Sequence, residues 1–274
     1  MAAGYETLKL EQRGAVLFAT IDAPPMNMLG PELVRDLVSL IQTLDRGEPH
    51  KVVVFKSADP DYFISHVDVT KIAAYREEAA RLTGEASIAL LFLRLSQTKA
   101  VTIAQVEGRV RGAGSEFILG CDMRFAARGR AVFSQMEPAF GLIPGGGAAQ
   151  HLVRLMGRGR ALEVMLSAED YDADLAERYG WVNRSFDPEA LGPFVADLAR
   201  RIASFPAAGH GVVKDRVNAI SLAPAEDFRR DSDLFGEGVK NPEAQQRIQA
   251  AFKGGFQTRD AEMDLGRMLG ALTD

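Results

Sequence analysis

Cys121 is the only cysteine in the chain, so no internal disulfide can form. The core must therefore hold the fold unaided, and a reducing cytoplasm is the expected compartment. The stretch from Met1 to Leu10 has no apolar signal core. The longest apolar run in the middle of the chain, 88–93, is far short of the roughly 20 residues that a membrane span needs. Dense basic runs are missing and the net charge is -5, which argues against nucleic acid as the main partner. A small polyanionic ligand remains compatible with that charge, because local basic residues can hold it. The histidines, His50, His66, His151 and His210, lack metal-ligand spacing, so no metal is expected. Without a secretory signal, the sequon Asn183-Arg184-Ser185 reads as a chance match.

What is present fits an ordinary globular protein. The 274 residues are 47% hydrophobic and 25% charged, enough to bury a sizeable core in one large α/β domain, or in one domain with a small helical appendix. Residues 5–12 and 15–21 are rich in β-formers, with Arg13-Gly14 as a hairpin turn between them. Pro31 sits where a helix would start, and Leu33, Leu37, Leu40, Ile41 and Leu44 share one helical face that Gly47 ends. Val52, Val53, Val54 and Phe55 form the continuous apolar run of a strand buried on both faces. The pattern recurs: a helix over 79–95 interrupted by Gly84, a buried strand at 101–106, a helix at 116–119, and strands at 123–127 and 131–133. Such units predict an α/β layered fold. Beyond about 145 the chain reads as helical (148–156, 160–166, 174–179, 188–204, 207–219), with one strand at 181–186. A soft boundary near 190–205 separates a core, 1–195, from a helical region, 196–274. Helices without strands to cover are expected to pack onto another subunit.

The chemistry is expected near the glycine clusters Gly108, Gly112 and Gly114, then Gly141, then Gly145 to Gly147. A dinucleotide fingerprint fails because Phe117 stands where Gly or Ala is needed, and no P-loop occurs. What remains is a tight strand-to-helix turn, or a backbone that approaches a ligand closely and aims N–H groups at negative charge. Glu116 lies just inside that helix, where a first-turn acid would complement the dipole. Glu137 precedes Pro138, which biases it toward a turn or extended conformation. Phe133, Phe140, Leu142 and Ile143 lie close to it in sequence, and apolar walls raise a carboxyl pKa. Two carboxylates in different settings form a candidate acid/base pair. Ser115 is outside any G-x-S-x-G elbow and is a weak nucleophile candidate.

These residues, in this order, resemble the enoyl-CoA hydratase/isomerase (crotonase) family over nearly the whole chain. Pro24-Pro25-Met26-Asn27 is similar to the family's turn that contacts the CoA moiety. Tyr62-Phe63-Ile64-Ser65-His66-Val67-Asp68 is similar to its F-x-x-G-x-D loop. The run from Gln105 to Glu116 resembles its N-G-x-x-x-G-G-G-x-E block, with Cys121-Asp122 following, and the run from Phe133 to Gly147 resembles its F-x-x-P-E-x-x-x-G-x-x-P-G-x-G stretch. The resemblance implies a spiral of β-β-α units with a C-terminal helical region that forms a trimer or a dimer of trimers. It implies backbone oxyanion donors at Val67 and Ala113, with Glu116 and Glu137 as the catalytic pair. Substrate contacts are expected from Pro25, Met26, Asn27, Ser65, His66, Asp68, Arg111, Gly112 and Gly141. Coenzyme A is expected only as part of the acyl-CoA substrate, with no resident cofactor.

The implied reaction is hydration of a 2-enoyl-CoA, Glu116 taking a proton from water and Glu137 protonating the α-carbon. Alternatives are isomerisation, retro-aldol cleavage or thioester hydrolysis, a non-catalytic CoA-binding protein, and a serine hydrolase using Ser115. The chain departs from the pattern in several places. His66 replaces the family's usual Gly, Glu107 its Asn, and Arg109 and Arg111 replace apolar residues; these arginines could narrow the acyl pocket, bind a carboxylated acyl group or form salt bridges, and salt bridges are expected. The end of the chain, from Gly255 to Asp260, matches only in part, with Arg267 a weak substitute for the family's basic residue.

Overall fold

A computed structural model describes residues 4–46 and 50–272. Gly47, expected to end the first helix, lies outside the described residues. The strands are β1 (Leu8–Arg13), β2 (Val16–Ile21), β3 (Val52–Ser57), β4 (Tyr62–Ile64), β5 (Val101–Val106), β6 (Arg109–Arg111), β7 (Met123–Ala127), β8 (Val132–Ser134), β9 (Tyr171–Asp172) and β10 (Arg184–Phe186). A six-stranded sheet has the order β1-β2-β3-β5-β7-β10, and a four-stranded sheet the order β4-β6-β8-β9. β1 and β2 form the expected antiparallel hairpin, with Gly14 at φ 62°, and β2, β3, β5, β7 and β10 pair in parallel.

Each turn of the chain lays one strand in the large sheet and the next in the small one: β3 then β4, β5 then β6, β7 then β8. This is the expected β-β-α spiral. Gly108 marks one of these corners, because a Cβ there would sit 2.5 Å from the Asp61 carbonyl carbon. The strands of the small sheet were not expected at 62–64, 109–111 or 171–172; each is too short for a hydrophobic period to register.

The helices are α1 (Pro31–Asp45), α2 (Ile72–Thr83), α3 (Ile88–Ser96), α4 (Ala113–Leu119), α5 (Ala148–Ser167), α6 (Ala173–Tyr179), α7 (Pro188–Ala203), α8 (Ala207–Ser221), α9 (Ala225–Gly238), α10 (Pro242–Lys253), α11 (Arg259–Glu262) and α12 (Leu265–Gly270). The expected helix at 79–95 is two helices: Gly84 (φ 78°) caps α2, and the Ser87 side chain caps α3. The two expected at 148–156 and 160–166 run together as α5 across a break at Gly157. The strand expected at 181–186 shrinks to β10, because the Trp181 N–H closes the end of α6 by donating to Ala176 O at 2.8 Å.

β3 shows why the sheet is layered. Val53 and Phe55 pack with α1 and α3 through Leu37, Ile41 and Leu91, whereas Val52 and Val54 face Leu191, Val195 and Ala199 of α7. Alternate residues thus serve opposite layers, and each fully buried aliphatic or aromatic side chain contributes about 1.5–3 kcal/mol. The C-terminal helices divide in two. α8 buries none of its residues and exposes Val212, Val213, Val217 and Ile220. α9 and α10 instead fold back onto their own chain, Phe228 against Leu90 of α3 and Ala251 beside Phe140. Among the described residues, no helix is long and apolar enough to cross a membrane.

Candidate active site

β6 ends at Arg111, and the chain then makes a turn that only glycine tolerates. Gly112 has φ 48° and ψ −125°, and a Cβ on it would lie 2.7 Å from Glu137 Oε1. The Gly112 carbonyl accepts from the Glu116 N–H at 3.0 Å. A trans peptide points its C=O and N–H in opposite directions, so the Ala113 N–H faces away from α4. On the other side of the site the His66 carbonyl accepts from the Leu29 N–H at 2.8 Å, so the Val67 N–H turns away from Leu29. Among the described residues neither the Val67 N–H nor the Ala113 N–H donates to another group.

Val67 and Ala113 line one cavity together with Glu116 and Glu137. Its remaining wall is mostly apolar: Ile72, Tyr75, Met136, Phe140, Leu142, Phe235, Val239, Ile248 and Phe256. The two acids differ in their settings. Glu116 Oε1 accepts from the N–H groups of Gly146 (2.7 Å) and Ala148 (3.1 Å). A Cβ at Gly146 would meet Glu116 Oε2 at 2.5 Å, so glycine is needed there. Burial pushes Glu116 up to about 7, against the pull of those amides, and the Asp231 charge adds to the rise. Glu137 opens the 3₁₀ turn Glu137–Phe140 and receives one side-chain donor, Gln135 Nε2 at 3.2 Å. Burial and the Glu116 charge push it up to about 8.

His66 is 2% exposed and also lines the cavity. Its backbone avoids the left-handed region, so the loop does not require glycine there. Nδ1 lies 2.7 Å from the Val67 carbonyl, and Nε2 lies 2.8 Å from Glu262 Oε1. The ring stacks on Phe256, centroids 4.9 Å apart. Burial pushes the Glu262 carboxyl up, but His66, the Gln257 N–H and Arg111 together hold it below the usual carboxylate range. No signal in the sequence pointed to Glu262 or to the amide clamp on Glu116, since each acts across a long stretch of chain; Phe256 lies in the run from Gly255 to Asp260 that matched the family only in part.

The other expected substrate contacts lie outside this cavity. Arg111, 1% exposed, is locked by two 2.7 Å bonds to Asp170 and one of 2.8 Å to Glu262 O, the expected salt bridge rather than a ligand contact. Arg109 forms no such bridge; it donates to Met263 O and lies over the Tyr62 ring, because among the described residues no carboxylate approaches its exposed edge. Met26 is fully buried, and the Asn27 side chain is spent on Ala23, Ser57, Tyr62 and Phe63. Ser65 is fully buried, and Gly141 caps the 3₁₀ turn at φ 72°. Gly112 shapes the turn itself. Pro25 and Asp68 line a separate surface cleft with Met28 and Lys71. Ser115 is fully buried and accepts from Trp181 Nε1 at 3.1 Å, so it has no access to the cavity. Arg267 is exposed and pairs with Asp264.

The enoyl-CoA hydratase/isomerase family profile matches residues 11–257. The chain is 30% identical to a crotonyl-CoA hydratase of Syntrophomonas wolfei, over 85% of this chain and 89% of that one. It is 29% identical to a short-chain-enoyl-CoA hydratase of Clostridium acetobutylicum, over 83% and 87%. A crystal structure of a candidate enoyl-CoA hydratase from Streptomyces avermitilis is 52% identical over the whole of both chains, with a TM-score of 0.98. The chain therefore belongs to the enoyl-CoA hydratase/isomerase family.

Proposed function

We propose that this protein adds water across the double bond of a 2-enoyl-CoA to give a 3-hydroxyacyl-CoA. The observation that carries the reading is the convergence on one cavity of two undonated backbone N–H groups and two carboxyl groups with different environments. The thioester oxygen would sit on the N–H groups of Val67 and Ala113, which stabilise the charge that develops as the β-carbon is attacked. Glu116, its carboxylate held by two amides, is the base that takes a proton from the attacking water. Glu137, with the higher pKa, keeps its proton near neutral pH and delivers it to the α-carbon. Water supplies the hydroxyl, and a proton passing from Glu116 back to Glu137 resets the pair. Coenzyme A arrives with the substrate, and its arm runs across the cleft of Pro25 and Asp68. The relatives named as crotonyl-CoA and short-chain-enoyl-CoA hydratases support this chemistry.

Incubation with crotonyl-CoA and longer 2-enoyl-CoAs is expected to remove the ultraviolet band of the conjugated thioester and to yield products one water heavier by mass. Persistence of every enoyl thioester sinks the proposal. Glu116→Gln and Glu137→Gln should each slow turnover by about 10²–10⁴-fold. We further propose a cytoplasmic homotrimer, or a dimer of trimers, assembled through the exposed apolar face of α8. Sedimentation equilibrium should then give a mass three or six times that of the chain, and a monomer would refute it.

A further inference from the structure

Arg76, on α2, is the one Lys or Arg among the described residues that line the cavity. Hydration of a simple enoyl thioester has no use for it. Its Nη1 donates to the carbonyl and the hydroxyl of Ser232 on α9, at 3.2 and 3.1 Å. Neither is an anion. Among the described residues no carboxylate lies within ion-pair distance of Arg76, although it is half-buried. Arg111, in the same interior, is neutralised by a bidentate bond to Asp170. The nearby carboxylate of Asp231 does not serve Arg76 either; it accepts from Gln150 Nε2 at 3.0 Å.

A guanidinium presents five N–H donors in a planar fork that matches a carboxylate. Ser232 occupies one nitrogen and leaves the rest free. Around this cation the wall is apolar, with Ile72, Phe235, Val239 and Ile248 suited to a methylene chain. The elevated pKa values of Glu116 and Glu137 also limit the negative charge that a second anion would meet near neutral pH.

We propose that Arg76 selects acyl thioesters whose acyl chain ends in a carboxylate, the carboxylate docking on the free edge of its guanidinium. The proposal rests on reading the cavity as the acyl-CoA site, but it does not need the hydration step. Its test is therefore binding. Saturated thioesters of two lengths, glutaryl-CoA and adipyl-CoA, are titrated calorimetrically into the full-length protein beside butyryl-CoA, hexanoyl-CoA and free coenzyme A. At least one dicarboxylic thioester is expected to bind roughly tenfold or more tightly than its methyl-ended counterpart. Arg76→Leu should abolish that preference, and Arg76→Lys should keep part of it. Equal affinities in the unaltered protein overturn the assignment while leaving the acyl-CoA reading intact. An equal loss for every ligand in Arg76→Leu, free coenzyme A included, also overturns it and puts Arg76 on the coenzyme. If no thioester binds at all, the acyl-CoA reading fails and takes the Arg76 assignment with it. The comparison within the unaltered protein decides the matter even if Arg76→Leu does not fold.

Discussion

The Gly112–Ala113 peptide and the His66–Val67 peptide border the same cavity but are held there by different means. The first is local. Its geometry follows from one glycine, a bond from the Gly112 N–H to Ser134 O, and the first turn of α4. Gly114 completes the fit, because a Cβ there would come within 2.1 Å of Ile64 O. The second is assembled from the far end of the chain. His66 reaches Glu262, 196 residues away, and Arg111 joins Glu262 to Asp170. Gln257 ties the same groups together, its side chain donating to the Val67 carbonyl at 3.4 Å and its backbone N–H to Glu262 Oε1 at 3.1 Å. A backbone conformation is either reached or not; a side-chain network can weaken by degrees.

The largest effect should come from breaking the local half. Gly112→Ala puts a Cβ against Glu137 in a conformation that alanine disfavours, so the peptide must turn. Loss of one such donor costs about 10²–10³-fold in kcat. The variant should show this loss in steady-state hydration, together with a lower melting temperature. Near-normal kcat would mean that the Ala113 N–H is not a donor in the reaction.

The distant half should fail more gently. His66→Ala and Glu262→Gln remove the fastening but leave the Val67 peptide bonded through Leu29. Each is expected to lower kcat by about tenfold to a hundredfold, less than Gly112→Ala, with a smaller change in KM. Because the two residues act on one peptide, the double variant should be little worse than the poorer single one. Losses that multiply would show that His66 and Glu262 serve separate purposes, and the comparison of the two halves would fall.

The same contrast explains what could be read from the sequence. β3 was legible because a strand buried on both faces is a continuous apolar run, β5 and β7 because the pattern recurs along the chain, and Gly84 marked a real helix end. The three-residue strands of the small sheet carry no period, and their pairing with one another is a tertiary fact. In the site, Glu116, Glu137, Val67 and Ala113 stood in recognisable blocks. The cluster from Gly145 to Gly147 was visible too, but that its amides grip Glu116 depends on α5 folding back 30 residues later. Glu262 and Arg76 have no local signature, since an acid on a short C-terminal helix, or an arginine on an amphipathic one, is ordinarily a surface residue. The salt bridge of Arg111 was expected, but its partner could not be named, since Asp170 lies 59 residues on.

The smallest expected effect concerns proton balance. Hydration needs Glu116 ionised and Glu137 protonated. Below about 7 the base is lost, and above about 8 the acid is lost, so kcat/KM should follow a narrow bell with its top between those values. The two limbs belong to the pair rather than to either residue alone. Asp231, buried on α9, raises Glu116 through its charge. Asp231→Asn removes that charge and leaves the amides of Gly146 and Ala148 in place, so Glu116 ionises more readily. The acidic limb should move to lower pH by a fraction of a unit, while the alkaline limb, set by burial of Glu137 and the Glu116 charge, should shift less. Movement of the acidic limb to higher pH would contradict the electrostatic account of Glu116, because removing a negative neighbour can only ease the loss of its proton.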